Sequence, residues 1–119
     1  VVDPGDAAPV EQFLKDNGLR LTSILVTHHH PDHVGGIPAL LRERDIPVYG
    51  PARETIPGMT HPLAEGDTIQ PAGVDMTLAV MEVPGHTLGH IAFHDTDRCW
   101  LFCGDTLFAG GCGRLFEGT

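Results

Sequence analysis

The chain has 119 residues, the length of one ordinary domain, which is enough to bury roughly two thirds of the unfolded surface. Its 7 basic residues against 16 acidic ones give a formal net charge of −9, which argues against a nucleic-acid partner. No apolar run approaches the roughly 18 residues of a membrane span, and no signal peptide is visible, so no membrane partner is expected. Three cysteines without CxxC spacing favour a reducing compartment, and we therefore expect a cytoplasmic protein.

The first half of the chain predicts alternating strands and helices. Val1-Val2 indicates the end of a strand, and Pro4-Gly5 indicates a turn directly after it. A helix is predicted over residues 9–17, and its apolar face consists of Val10, Phe13 and Leu14. The further elements predicted in this half are a buried strand over 23–27, a helix over 37–44 and a short strand over 47–49.

The second half predicts consecutive strands with few helices between them. Residues 52–67 show no regular pattern, and the predicted strands are 69–70, 76–83, 91–94 and a buried one over 100–103. Alternating strands and helices followed by consecutive strands predict a layered α/β fold with mixed sheets. Polar residues cluster where these strands end, which is where α/β folds place their sites.

Four of the eight histidines fall within residues 28–33, directly after the strand predicted over 23–27. In an extended chain, residues i and i+2 face the same way. His28 and His30 are therefore predicted to project together, while His29 projects to the opposite side. A solvated polar loop is the alternative interpretation of this segment.

Pro31 ends the extended run and turns the chain, which brings Asp32 and His33 round as a second pair of side chains. Imidazole and carboxylate are ligands that zinc, iron and manganese prefer. Because four donors in six residues fit poorly around a single ion, the segment predicts two adjacent ions.

Two further donors stand at similar places along the chain. His86 follows the strand predicted over 76–83, and Asp105 follows the strand predicted over 100–103; each has a glycine before it. Alone, His86 would be interpreted as a turn residue and Asp105 as a cap, but they repeat the pattern of the first cluster. Because a carboxylate offers two oxygens, Asp105 is predicted to bridge two ions.

The combined motifs resemble the metallo-β-lactamase fold superfamily in its hydrolase form. They are Thr-His-x-His-x-Asp-His at 27–33, Gly-His-Thr-x-Gly-His at 85–90 and Gly-Asp-Thr-Leu-Phe at 104–108. The segment Gly-Cys-Gly-Arg-x-Phe-Glu-Gly at 111–118 is similar to the glyoxalase II (hydroxyacylglutathione hydrolase) family, as is the opening of the chain. The resemblance implies an αββα sandwich. Since that family has a hairpin before Val1 and a helical region after Thr119, we expect residues 1–119 to form a partial catalytic domain, truncated at both ends.

The resemblance also implies the metal ligands. It assigns a first ion to His28, His30 and His86, a second ion to Asp32 and His33, and both ions to Asp105. Asp32 would orient the attacking hydroxide as well, so Asp32 and Asp105 are the catalytic candidates. The implied cofactors are two divalent ions, zinc first and iron or manganese as alternatives. The family has one more histidine on the second ion, and none of His61, His90 and His94 is assigned to it.

The implied reaction is the hydrolysis of S-2-hydroxyacylglutathione, chiefly S-lactoylglutathione, by a metal-bridging hydroxide, a step of methylglyoxal detoxification. Arg114 is predicted to contact a glutathione carboxylate because its guanidinium group matches that geometry, with an ordinary surface arginine as the alternative. Phe116 is predicted to line the same groove. The expected partner is this small molecule alone, and the expected oligomeric state is a monomer.

Three other functions remain open at this point. An iron-dependent persulfide dioxygenase-like enzyme also carries a Gly-Cys-Gly-Arg loop, although the Leu-Phe-Glu-Gly that follows at 115–118 favours the hydrolase. A lactonase or another hydrolase of the superfamily is the second, and an inactive metal-binding fragment is the third. Metal stoichiometry and a thioesterase assay would separate them.

Overall fold

The computed structural model describes residues 1–105 and the backbone of residues 107–108 and 111–112. In chain order the elements are α1 (Ala7–Asn17), β1 (Ile24–Leu25), α2 (Pro31–Val34), α3 (Ile37–Leu40), β2 (Val48–Pro51), β3 (His61–Leu63), β4 (Thr68–Ile69), β5 (Leu78–Glu82), β6 (Ile91–Asp95), β7 (Trp100–Phe102), β8 (Leu107–Phe108) and β9 (Gly111–Cys112). Among the helices of this described part, none is long and apolar enough to cross a membrane.

Helix α1 is bounded by residues that satisfy its free backbone groups. The Asp6 carboxylate accepts the Ala8 N–H at 3.2 Å, and Gly18 ends the helix with φ 60, a conformation that favours glycine. The Asp6 cap explains why the helix begins two residues earlier than predicted. Phe13 does not face the core as predicted: it is exposed and borders an apolar groove that Val74 also lines.

The strands separate by direction into different sheets. Strands β1, β2 and β3 are parallel, and the chain start adds a parallel bridge between Val2 and Leu25. Strands β4 to β7 form an antiparallel sheet in that order, and β8 pairs with β9. Both strand directions are present, as the predicted mixed architecture requires, but each of these sheets has one type of pairing.

Two apolar cores define the layers. Ile24 of β1 and Val26 directly after it lie in a core shared with the helices, whereas Leu25 between them lies in a second core. That second core also contains Leu78 and Phe93 of the antiparallel sheet. Alternation along β1 therefore packs helices on one face of the parallel sheet and the antiparallel sheet on the other, which are three successive layers of the predicted sandwich.

Three predicted features were wrong in detail. The helix predicted over 37–44 ends at Leu40, whose carbonyl accepts a hydrogen bond from the Arg44 side chain at 3.1 Å. Strand β3 lies in the stretch predicted to be irregular. It contains Pro62, which lacks an N–H but is tolerated because β3 is at the edge of the sheet. Strand β7 is not buried as predicted, since Trp100 and Leu101 are exposed on an edge strand.

The strand order brings four loops to one edge of the molecule. Strands β1 and β2 are parallel, so the loops that follow them emerge together. In the antiparallel sheet the same edge carries the loop from β5 to β6 and the segment after β7. The Ile91 N–H donates to the Thr27 carbonyl at 2.9 Å and joins the two sheets there. The predicted ligands lie in the segment after β1, which includes α2, in the loop from β5 to β6 and in the segment after β7.

Candidate metal centre

His28 is the buried centre of the site, with 0% of the residue exposed. The Thr27 hydroxyl donates to Asp3 at 2.7 Å, so its oxygen accepts from His28 Nδ1 at 2.9 Å. This arrangement places the imidazole proton on Nδ1 and leaves the lone pair of Nε2 facing the site. Burial, together with the neighbouring imidazoles of which His33 contributes most, lowers the pKa of His28 to about 2. His28 is therefore a neutral imidazole, the form that binds a metal.

A first donor set consists of three imidazoles and one carboxylate oxygen. Its members are His28, His30, His86 and Asp105, whose donor atoms all lie within 4.8 Å of one another. Asp105 Oδ2 is 3.0 Å from His86 Nε2 and 3.5 Å from His28 Nε2. His30 Nδ1 lies 3.1 Å from His86 Nε2, so predicted ligands from two loops meet directly. The strand alternation predicted for His28 and His30 does bring them to one side.

A second donor set lies on the other oxygen of the same carboxylate. Asp105 Oδ1 is 3.2 Å from His33 Nε2, and that nitrogen is 3.5 Å from Asp32 Oδ2. Asp32 and His33 stand in the first turn of α2, which begins at Pro31 where the sequence predicts a change of direction. The Asp32 side chain is 75% exposed, so this set is open to solvent while the first is enclosed.

Asp3 positions the second set, although the sequence indicates only a turn there. Its carboxylate accepts the Thr27 N–H and the Thr27 hydroxyl, both at 2.7 Å, and lies 3.1 Å from His33 Nδ1. The hydrogen bond from His33 to Asp3 raises the pKa of His33 and leaves Nε2 directed at Asp105. The backbone of Asp3 has a φ of 48, which residues other than glycine seldom adopt, so these contacts hold it in place.

These residues fit divalent metal ions on chemical grounds. Imidazoles and carboxylates with no cysteine among them are typical of catalytic zinc, iron or manganese sites. His28 Nε2 is buried and lacks a hydrogen-bond partner among the described residues, a state that costs free energy unless a ligand occupies the lone pair. The role of each residue as a ligand remains a prediction, which the geometry supports.

His90 backs the site without joining either set. Its ring stacks on His28 with centroids 4.5 Å apart, and its Nε2 accepts the Asp105 N–H at 3.2 Å. Gly104 admits this contact, since a Cβ at that position would lie 2.7 Å from His90 Nε2. Its φ of 54 also favours glycine. His90 thereby fixes the backbone that carries Asp105.

Glu54 is the other residue that sequence reasoning missed. Its side chain is only 3% exposed and accepts hydrogen bonds from the loops on both sides of the first donor set. Burial on its own raises the pKa of Glu54, but the hydrogen bonds outweigh this effect and hold the pKa below its ordinary value, so the group is ionised. His29, predicted to project away from the donor sets, lies 2.8 Å from this carboxylate through Nδ1.

Arg114 and Phe116, the predicted substrate contacts, lie outside the described residues. Asp3 and Glu54, in contrast, lie within the described residues, but none of the ligand motifs includes them. Their partners are 24 or more residues away in sequence, and only the fold brings them together.

Comparison with known proteins supports the motif-based resemblance. Residues 1–117 match the family model described as the metallo-beta-lactamase superfamily. The whole chain is 59% identical to the hydroxyacylglutathione hydrolase of Nitrosomonas europaea, of which it covers 45%. The chain therefore spans less than half the length of that curated relative.

Solved structures show the same fold. The crystal structure of the B3 metallo-beta-lactamase BLEG-1 matches with a TM-score of 0.79 at 30% identity, over 94% of this chain and 63% of that one. A structure of TTHA1623 in a di-iron-bound form matches with a TM-score of 0.74 at 36% identity, over 94% of this chain and 64% of that one. The fold predicted by resemblance is therefore confirmed.

Proposed function

The chain belongs to the metallo-beta-lactamase superfamily, and we propose that the whole protein hydrolyses glutathione thioesters with the help of divalent metal ions. The substrate class is S-2-hydroxyacylglutathione, chiefly S-lactoylglutathione, and the products are a hydroxy acid and glutathione. The observation that carries this proposal is the placement of Asp105, whose two carboxylate oxygens face two different donor sets. Sequence similarity to a hydroxyacylglutathione hydrolase selects the thioester among the substrates that such a site could act on.

We assign one ion to the first donor set and one to the second, with Asp105 shared between them. When bound, such ions lower the pKa of a coordinated water from about 15.7 towards about 7 and polarise the carbonyl under attack. Zinc is our first choice because imidazole and carboxylate donors suit it. Iron and manganese are the alternatives, and a similar structure has been described in a di-iron-bound form.

The chain's own residues supply orientation and charge. His28 presents a neutral Nε2 that is already free of its proton, so binding requires no deprotonation there. Asp32 lies on the open side of the site, where its exposed carboxylate can accept a hydrogen bond from the attacking water and fix its direction. The leaving group is a thiolate with an ordinary thiol pKa of about 8–9, so it needs little help from an acid.

The proposal also includes the substrate contacts, the oligomeric state and the cellular location. Arg114 and Phe116 bind the glutathione part of the substrate. The protein acts as a monomer. It works in the cytoplasm, where cysteine thiols such as that of Cys99 stay reduced.

The test is a hydrolysis assay on the whole protein with S-lactoylglutathione, following thiol release with metal content measured in the same samples. We expect turnover that requires bound metal and is abolished by His86→Ala. The matched control is His61→Ala, an exposed histidine of β3 outside both donor sets, which should retain turnover. Metal-loaded protein that releases no thiol would refute the proposed function.

A further inference from the structure

Glu54 lies directly after β2, at the edge of the molecule where the ligand loops meet. Its own N–H donates to the Pro51 carbonyl at 3.2 Å, which holds the residue in a tight turn at the strand end. The side chain then points inwards and is 3% exposed. A buried carboxylate at a strand end is costly unless polar groups surround it.

The two oxygens of this carboxylate serve two different loops. Oε1 accepts the His29 N–H at 2.7 Å and lies 2.8 Å from His29 Nδ1, which donates to it. Oε2 accepts the Gly89 N–H at 2.9 Å and the Thr87 hydroxyl. One side chain therefore connects the loop after β1 to the loop before β6, across sequence separations of 25 and 35 residues.

The connected residues are the immediate neighbours of predicted ligands. His29 stands between His28 and His30, and Thr87 follows His86. A shift of either loop along this edge would separate His30 from His86, whose ring nitrogens are now 3.1 Å apart. A side chain that is in neither donor set therefore connects the two loops that carry predicted ligands.

The position of Gly89 beside Glu54 has no room for a side chain. A Cβ added at Gly89 would lie 2.5 Å from Glu54 Cγ and 3.0 Å from Oε2, so a larger residue would displace the carboxylate. The glycine lets the backbone N–H approach close enough to donate. The Gly-His-Thr-x-Gly-His motif therefore contains both a ligand and two contacts to Glu54.

We propose that Glu54 is a positioning residue for the metal centre, which holds the His28–His30 loop and the His86 loop at the spacing required to bind the first ion. The inference rests on the proposed function in so far as that function uses the first ion. Glu54 itself belongs to neither donor set. A carboxylate is required because four donors converge on it and it has acceptors only, whereas a glutamine amide would turn N–H groups towards one of the two loops.

The test compares Glu54→Gln with Glu65→Gln in the whole protein. Glu65 is a matched control because its carboxylate also accepts a backbone N–H, that of Glu82 at 2.5 Å, but from the exposed turn between β3 and β4. Zinc affinity is measured by chelator competition, and the cobalt-loaded protein is examined by its visible absorption, which reports the geometry of the ligands. We expect Glu54→Gln to weaken zinc binding about 10- to 100-fold and to change the cobalt spectrum, while Glu65→Gln does neither.

A purely structural role predicts a different pattern. In that case Glu54→Gln would lower the unfolding temperature, yet the folded protein would bind zinc with wild-type affinity and show the wild-type cobalt spectrum, and this result would overturn the proposal. If Glu54→Gln does not fold, Thr87→Val removes one contact at almost constant volume. It should weaken zinc binding in the same direction by a smaller factor, and unchanged affinity in Thr87→Val would also refute the role.

The readouts separate this inference from the proposed function. Zinc affinity and the cobalt spectrum are measured without substrate, so they test Glu54 directly. If the wild-type protein binds zinc and loses affinity on Glu54→Gln but does not hydrolyse S-lactoylglutathione, then the positioning role stands and the proposed function fails.

Discussion

The two donor sets on Asp105 differ in burial and in the local structure that presents them. The first set is enclosed: His28 and His86 are buried, and His28 and His30 project from an extended segment after β1. The second set is open, because it stands in the first turn of α2 and its Asp32 is exposed. One seven-residue motif therefore serves two environments, and Pro31 marks the change between them. If the proposed function holds, we expect the first set to hold its ion more tightly than the second, which would face the substrate.

The largest effect is expected at the carboxylate that both sets share. Asp105→Asn keeps the shape of the side chain but removes its charge, which offsets the repulsion between two divalent ions roughly 3.5–4 Å apart. We expect both ions to be lost from the whole protein at metal concentrations that saturate the wild type, together with turnover. Elemental analysis by mass spectrometry measures this, with Asp97→Asn, an exposed aspartate, as the control. Two retained ions would remove Asp105 from its shared position.

A smaller and one-sided effect is expected in the enclosed set. His28→Ala removes a neutral imidazole whose Nε2 is already directed into the site. Loss of a residue that only supports a ligand costs about 10- to 100-fold in metal affinity, so loss of His28 itself should weaken the first ion by more than about 100-fold. The exposed His61→Ala should leave affinity unchanged. Isothermal titration with zinc would show one binding step lost and the other kept. Simultaneous loss of both steps would mean that the sets are not separable.

A substitution in the open set should weaken the second ion instead of the first. Asp32→Asn is expected to weaken the second ion and reduce kcat, while the first ion stays bound, because Asp32 contacts only His33 within the two sets. Competition with a chelator of graded strength resolves the two affinities. A fall in the affinity of the first ion equal to that of the second would contradict the distinction between an enclosed and an open set.

The smallest effect concerns the residue behind the open set. Asp3→Asn leaves the hydrogen-bond geometry of Thr27 partly intact but weakens the contact that orients His33, so the second ion should bind about 10-fold less tightly. Asp6→Asn is the control, because asparagine caps a helix as well as aspartate does. Zinc affinities of the two variants, measured side by side, test this prediction. An effect of Asp3→Asn confined to the first ion would show that Asp3 acts through Thr27 and His28 instead.

Local sequence signals predicted most of the ligand loops. The alternation that brings His28 and His30 together, the turn at Pro31 and the placement of His86 and Asp105 after strands are all properties of short segments. The layered fold follows from the same information, since strand and helix patterns alternate early and strands predominate later. These features depend on neighbours in sequence, and they were predictable for that reason.

Features that depend on distant contacts were not predictable from the sequence. Glu54 lies in a stretch without apolar periodicity, and its role appears only when residues from two other loops surround it. Asp3 was interpreted as a turn residue because Pro4-Gly5 dominates its surroundings, although its partners are Thr27 and His33. Phe13 matches the apolar face of α1 by spacing, but its exposure is decided by what lies opposite.

We propose that Asp105 is shared by the first and second donor sets, and the positions of the ions themselves would test this directly. Crystals of the whole protein loaded with zinc, measured at the zinc absorption edge, would locate the ions by anomalous scattering. We expect two peaks roughly 3.5–4 Å apart, one beside the histidines of the first set and one beside His33, each next to a different Asp105 oxygen. A single peak, or two peaks of which only one adjoins Asp105, would contradict it.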